Sequence, residues 1–303
     1  YYLQGLTWHL TNTGQFGGPG TSINAVGGWN DASGRGVAIT IVDDGLWRLH
    51  EDLVARYRAN MSADFKGGDF DPSPENADES HGTQVAGLAG ASGNNDAGGL
   101  GVAPEAYLAG VKLDFDNGWT ALTEAQFLEY GGRELQVQNN SWGYVAAASD
   151  VSPLTAATFY RNITFGRGGL GAIMLFATGN SALEGHEANL GGLVANRYTI
   201  GVGGVGHDGT RASYSQYGSA VDVVAPTQGG DFFQDVGMTT TTFTSEDSFS
   251  DYSFTFNGTS AATPVASGVV ALILEANPNL TWRDVRAVLE LSAQKVDPDN
   301  PSW

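Results

Sequence analysis

The chain has no cysteine in its 303 residues. Disulfide scaffolds, cysteine-ligated zinc sites and thiol nucleophiles are therefore excluded. Positive charge is scarce: 14 Lys and Arg stand against 33 Asp and Glu, a formal charge of −19. A partner such as nucleic acid or an anionic membrane surface calls for a basic face, so neither is expected. No apolar run approaches the roughly 20 residues of a membrane span. Charged residues of both signs make up only 16% of the chain, against about 25% in an average domain. Yet 41% of residues are hydrophobic, which separates the chain from an acidic disordered tail. Glycine is abundant, at 43 residues, and implies many tight turns and close backbone approaches.

The length is ample for a core that needs no staple. Short β-branched runs recur at Val37–Val42, Leu108–Lys112, Ala172–Ala177, Tyr198–Val202 and Ala220–Val224, and read as strands. Helical patterns fall at 84–91, Thr120–Gly131, Ser152–Arg167 and Gly258–Ala276, and a last helix opens at the Thr281 cap with Asp284 three residues on. Strands alternating with helices predict an α/β domain with a mostly parallel sheet. Asp64–Ser80 reads as an acidic loop, and Phe232–Phe256, rich in Thr, Ser and Phe, as a long surface hairpin.

Three segments carry chemistry. Ile41-Val42-Asp43-Asp44-Gly45 ends the first strand with two acids, at the edge where parallel sheets bind ligands. His81-Gly82-Thr83 opens a small-residue helix. Asn257-Gly258-Thr259-Ser260-Ala261 opens the long apolar helix, so Ser260 lies where free N–H groups favour a developing oxyanion. Pro264 is expected in the first turn, where its missing N–H costs least. Singly, each segment reads as a turn or a cap. Asp, His and Ser in that order, at strand and helix ends, match the triad order of subtilisin.

Together these motifs resemble the subtilase family, and within it the kexin/furin branch. Val42-Asp43-Asp44-Gly45-Leu46 with Glu51-Asp52-Leu53, Trp8-His9-Leu10 near the N-terminus, and the run Leu272–Arg286 carry the likeness, which extends from about Trp8 to Trp303. The resemblance implies a subtilisin-like α/β fold with a mostly parallel sheet flanked by helices, residues 1–303 forming one catalytic domain. It implies a secreted, calcium-dependent serine endopeptidase made as a zymogen. Ser260 would be the nucleophile, His81 the general base, Asp43 its orienting partner and Asn180 the oxyanion donor. Ser141-Trp142-Gly143 would pair with an extended peptide. A propeptide or dedicated chaperone is implied as folding partner. The catalytic domain is expected to run on past Trp303 into a β-sandwich P domain.

The resemblance also implies subsites. P1 denotes the residue just before the scissile bond, P2 the one before that. Asp44 and Asp78 fall on acids of the second subsite and Glu124 on one of the fourth, whereas the two P1 acids of the branch fall on Ala146 and Gly191. A basic preference at P2 with a broader P1 is expected, with Glu184 and Glu187 able to return an acid from another direction. Ca²⁺ requires six to eight oxygens. One expected site combines Asp52, Asn95 and the carbonyls of Ser92, Ala97 and Gly99; a second combines Asp64, Asp69 and Asp71, three acids within eight residues. The competing reading is a catalytically inactive subtilase fold serving as a calcium-dependent binding or adhesion module. The intact set Asp43, His81, Asn180 and Ser260 weighs against it.

Overall fold

The computed structural model describes residues 3–16, 21–230, 236–245 and 251–300. The strands are β1 (Ala38–Asp43), β2 (Ala63–Asp64), β3 (Tyr107–Lys112), β4 (Val137–Asn140), β5 (Ile173–Ala177), β6 (Thr199–Val205), β7 (Val223–Pro226), β8 (Met238–Thr241) and β9 (Tyr252–Phe256). The helices are α1 (Ala25–Gly28), α2 (His81–Gly90), α3 (Ala121–Leu128), α4 (Pro153–Phe165), α5 (Thr259–Ala276) and α6 (Trp282–Ser292). Strands β1 to β7 form one parallel sheet in the order β2-β3-β1-β4-β5-β6-β7. Chain order reverses at β1, so the carboxyl end of β1 is the switch point where such sheets hold ligands. Asp43, the last residue of β1, sits there, in register with Lys112 of β3.

The predicted α/β class, strands and helices are present, with three informative differences. Strand β4 was missed because Gln138, Asn139 and Asn140 look like turn residues, yet all three are buried. Their side chains hydrogen-bond within the fold, among them Gln138 Nε2 to the Leu128 carbonyl at 3.0 Å and Asn140 Nδ2 to the Leu175 carbonyl at 3.2 Å, although Asn140 Oδ1 stays buried without a partner among the described residues. Strand β7 begins three residues later than expected, because the Asn189 side chain holds the Ala220 N–H in a turn at 2.9 Å. The hairpin β8–β9 is antiparallel as expected, but β8 is buried rather than on the surface. Its Thr240 and Thr241 hydroxyls donate to the Gln84 and Thr83 carbonyls of α2 at 2.6 and 2.7 Å. Residues 231–235 and 246–250 of that expected hairpin lie outside the described residues.

Helices α2 and α5 pack together, and α5 runs across β4 to β7. By length and composition α5 is the one described helix apolar enough to cross a membrane, but 67% of it is buried inside this fold. On the other side, Phe127 of α3 and Phe159 of α4 pack edge-on against Trp142 and Phe176. The last helix, α6, has the predicted capping box between Thr281 and Asp284.

Candidate active site

Strand β1 delivers Asp43 and helix α2 starts at His81, whose Nδ1 lies 2.8 Å from Asp43 Oδ1. Gly82 permits the approach: a Cβ there would sit 2.2 Å from the Gly45 carbonyl oxygen and 2.8 Å from Asp43 Cβ. The other Asp43 oxygen, Oδ2, is buried and unpaired among the described residues. Burial opposes protonation of His81, but the Asp43 charge, their hydrogen bond and the Asp44 charge outweigh it and raise the imidazole pKa to about 9. The ring remains 37% exposed at the cleft. Asp44 accepts from the backbone N–H groups of Gly82 and His81 at 2.7 and 3.1 Å, so it also caps α2. Burial first, then the neighbouring Asp43 charge, push its carboxyl up to about 7, against the pull of His81 and those two N–H groups.

Ser260 is the second residue of α5. Its hydroxyl donates to the Ser141 carbonyl at 3.0 Å, and its own carbonyl accepts from Ser141 Oγ at 3.0 Å. Pro264 explains the second bond. It is the sixth helical residue, in the second turn rather than the first, and lies four residues after Ser260. Lacking an N–H, it leaves the Ser260 carbonyl without its helical donor, and Ser141 fills the vacancy. Ser141 is held in turn by Asn139 Nδ2 at 2.9 Å, and Asn139 Oδ1 accepts from Ser267 of α5 at 2.9 Å.

Asn180 follows β5. Its Oδ1 accepts from the Thr259 N–H at 2.8 Å and from the Thr259 hydroxyl at 3.0 Å. The amide orientation is thereby fixed, and Nδ2 makes no hydrogen bond among the described residues. Gly258, with φ +83°, lets the chain pass: a Cβ would stand 3.0 Å from that Nδ2. Asn180 and Ser260 line one pocket of about 290 Å³. The same pocket contains Ala146 and Gly191, the two positions expected to face a P1 side chain. Glu187 is its one carboxylate among the described lining residues; Glu184 does not line it. The Gly143 backbone N–H and C=O hydrogen-bond to nothing among the described residues.

Ser141 and Trp142 also line a second cleft, of about 550 Å³, together with Asp43, Asp44, Asp78, His81 and Phe115, among others. Asp44 and Asp78 thus line the same cleft, and Asp78 is exposed. Glu124 is a correction. It is buried, and its carboxylate is consumed internally by Tyr144 Oη at 2.7 Å, Thr155 Oγ1 at 2.5 Å and Trp119 Nε1 at 2.9 Å. It braces the aromatic wall instead of meeting a fourth-subsite cation.

The two expected calcium loops differ. Asp52 is 0% exposed, and among the described residues its carboxylate has only neutral donors: Asn95 Nδ2 at 2.7 Å, the Gly99 N–H at 2.8 Å and Tyr252 Oη at 2.8 Å. The carbonyls of Ser92, Ala97 and Gly99 accept no hydrogen bond among the described residues, and Ser92 Oγ is buried without a partner. A buried carboxylate lacking a cation, beside three free carbonyls, is a donor set that fits a hard divalent ion. Asn95 would have to present Oδ1, which here accepts from the Ala97 N–H at 3.3 Å. Asp64, Asp69 and Asp71 are a second correction: among the described residues only Asp43, Asp44 and His81 bring three acid or imidazole ligand atoms within 4.8 Å of one another. Asp64 Oδ1 accepts the N–H groups of Lys66 and Gly67 at 2.6 and 2.8 Å, Asp69 Oδ1 that of Asp71 at 2.8 Å, and Asp71 pairs with Arg48 at 2.8 Å.

Sequence reading missed Thr259, Asn139, Ser267 and Lys112, which orient the site without entering it. Position was the available signal for two of them: Thr259 immediately precedes Ser260, and Asn139 lies two residues before Ser141.

Comparison with known proteins bears on the family and the fold. Residues 34–302 match the Subtilase family. A PC3-like endoprotease variant B of Hydra vulgaris is 37% identical over 98% of this chain and 42% of its own length. Protease KEX1 of Kluyveromyces lactis is 35% identical over 98% and 38%, and human neuroendocrine convertase 2 is 33% identical over 95% and 46%. The chain thus spans about two fifths of the length of these relatives. Among solved structures, the serine protease of Aeromonas sobria superposes with a TM-score of 0.87 at 29% identity, covering 98% of this chain and 58% of that one. With Asp43 and His81 hydrogen-bonded at the switch point of a seven-stranded parallel sheet, and a family match spanning nearly the whole sequence, the chain belongs to the subtilase family.

Proposed function

We propose that this chain is the catalytic domain of a secreted, calcium-dependent, kexin-like serine endopeptidase with a basic preference at P2. Ser260 attacks the peptide carbonyl, turning its hydroxyl from the Ser141 carbonyl toward His81. His81 takes the proton and passes it to the leaving amine, while Asp43 holds the ring tautomer and stabilises the imidazolium. Asn180 Nδ2 and the Ser260 N–H at the start of α5 receive the oxyanion. The observation that carries this reading is the Asn180 amide, locked by Thr259 with Nδ2 free in the pocket of Ser260. A binding module has no use for such a donor.

An extended peptide pairing with the free backbone of Gly143 alternates its side chains. P1 then enters the pocket beside Ser260, and P2 turns to the cleft of Asp44 and Asp78. With Ala146 and Gly191 in place of acids, P1 is broad, and Glu187 gives a residual bias toward Lys and Arg. Ca²⁺ is assigned to Asp52, Asn95 and the Ser92, Ala97 and Gly99 carbonyls, where it neutralises a buried charge and fixes the loop after α2. Export, a following P domain and a folding partner, either its own propeptide or a dedicated chaperone, belong to the same reading. A solved neighbour, the Aeromonas sobria protease, has been seen in complex with a chaperone.

Labelling with a fluorophosphonate probe tests the nucleophile: wild type should label and Ser260→Ala should not. An unlabelled wild type would favour the binding module. A tetrapeptide panel should show Lys or Arg at P2 cleaved faster than Ala, and equal rates would remove the P2 assignment. Calcium bound only to the native state raises Tm with concentration, so a Tm indifferent to chelator would remove the calcium assignment.

A further inference from the structure

The loop between β2 and α2 reaches His81 directly and carries Asp78 and Glu79 into the cleft. It is crowded with carboxylates, which repel one another unless a cation intervenes. The structure places three side-chain cations among them. Arg48 Nε lies 2.9 and 3.0 Å from the two Asp71 oxygens, with Nη2 at 2.8 Å from one of them. That fork holds the Asp71 carboxyl down at about 2. Lys112 has a fully buried side chain, and its Nζ reaches Glu79 at 2.9 Å, the Ser73 carbonyl at 3.1 Å and Glu75 at 3.4 Å. Lys66 Nζ meets Glu79 at 2.6 Å and Asp116 at 2.8 Å.

We propose that Arg48, Lys66 and Lys112 do in this loop the work that a divalent ion would otherwise do: they gather its carboxylates, tie them to the sheet and set the wall of the substrate cleft. Lys112 is the central strut. It lies beside Asp43 in the β3–β1 register, and its ammonium holds Glu79, two residues before His81. Arg48 acts from the opposite end, fixing Asp71 and the turn that returns the chain toward Asp78. All three are positioning residues for the cleft. This rests on the cleft being the peptide site, but its first test does not depend on catalysis.

Calcium titration of the full chain by calorimetry is that test. Asp71→Asn should bind as many calcium ions as wild type, and Asp52→Asn fewer. Loss of one ion in Asp71→Asn would overturn the proposal. The second test is kinetic. Lys112→Met risks failing to fold, so the partly exposed Arg48 is the better site. Arg48→Gln should raise KM for P2-Lys peptides about tenfold with kcat within about twofold, as expected when a charge-assisted contact that only positions a wall is lost. Arg48→Lys should restore only part of it, since the charge survives but the bidentate fork does not. Added calcium should not rescue Arg48→Gln. Rescue by calcium, or an unchanged KM, would sink the idea. Failure of the endopeptidase reading would show instead as no turnover in any variant, with the calcium counts still informative.

Discussion

His81 can act as a base only when neutral, and the two acids at the end of β1 work against that. Burial favours the neutral ring, but Asp43 and Asp44 together hold its pKa at about 9 in the free protein. The kcat/KM of the free enzyme should therefore climb with pH until about 9. Asp44→Asn deletes one of the charges that raise the pKa, so the acid limb of the pH profile should move to lower pH; a limb that stays in place would show that Asp44 is not coupled to the base. Asn180 makes a separate prediction. Asn180→Ala should lower kcat by about 10²–10³ with little change in KM, since the donor acts on charge that develops only in the transition state. Glu187→Gln should cut the preference for P1 Lys over P1 Leu, read as a ratio of kcat/KM values, while leaving P1 Leu unaffected.

Elements, rather than single residues, show what could be read from the sequence. Strand β1, the opening of α2 at His81 and the nucleophile helix α5 were legible because each pairs an apolar or small-residue run with a chemical residue at its end. Strand β4 was not, because hydrophobic pattern cannot recognise a strand whose Gln138, Asn139 and Asn140 are buried and hydrogen-bonded to partners elsewhere in the chain. The charges of Glu124 and Asp71 were visible, but not the donors that consume them, since Tyr144, Thr155 and Arg48 lie 20 to 31 residues away along the chain. Side-chain charge in a sequence announces a need for a counter-charge and leaves open whether substrate, metal or protein supplies it. Strand β4 also ties the site to the core: Ser267, Asn139, Ser141 and Ser260 form one hydrogen-bonded line from α5 through β4 and back. Asn139→Ala would leave the Ser267 hydroxyl buried and unpaired and release Ser141. A stability loss of about 1–3 kcal/mol is expected, measured by denaturant unfolding, together with a lower kcat because the nucleophile's carbonyl anchor loosens.

At the scale of the whole molecule, the formal charge of −19 is unevenly used. Part of it is neutralised internally, by Arg48, Lys66 and Lys112 in the loop before His81. Part is buried at Asp52, the carboxylate to which the proposed calcium is assigned. What remains exposed, including Asp78 at the cleft, faces solvent and any approaching peptide. A field of that sign concentrates cationic ligands at a cleft lined by the same charge and raises their encounter rate. It is screened by salt, with a Debye length of about 30 Å at 0.01 M that shrinks to about 3 Å at 1 M. For a peptide with Lys at P2, kcat/KM should therefore fall about tenfold across that range, through KM and association rather than through kcat. A peptide of the same length with Ala at P2 and no net charge should change by less than about twofold. Calcium must be held saturating throughout, since salt also weakens ion binding. If both peptides fall in parallel, salt is acting on the catalytic machinery or the fold, and the acidic surface has no part in choosing the substrate.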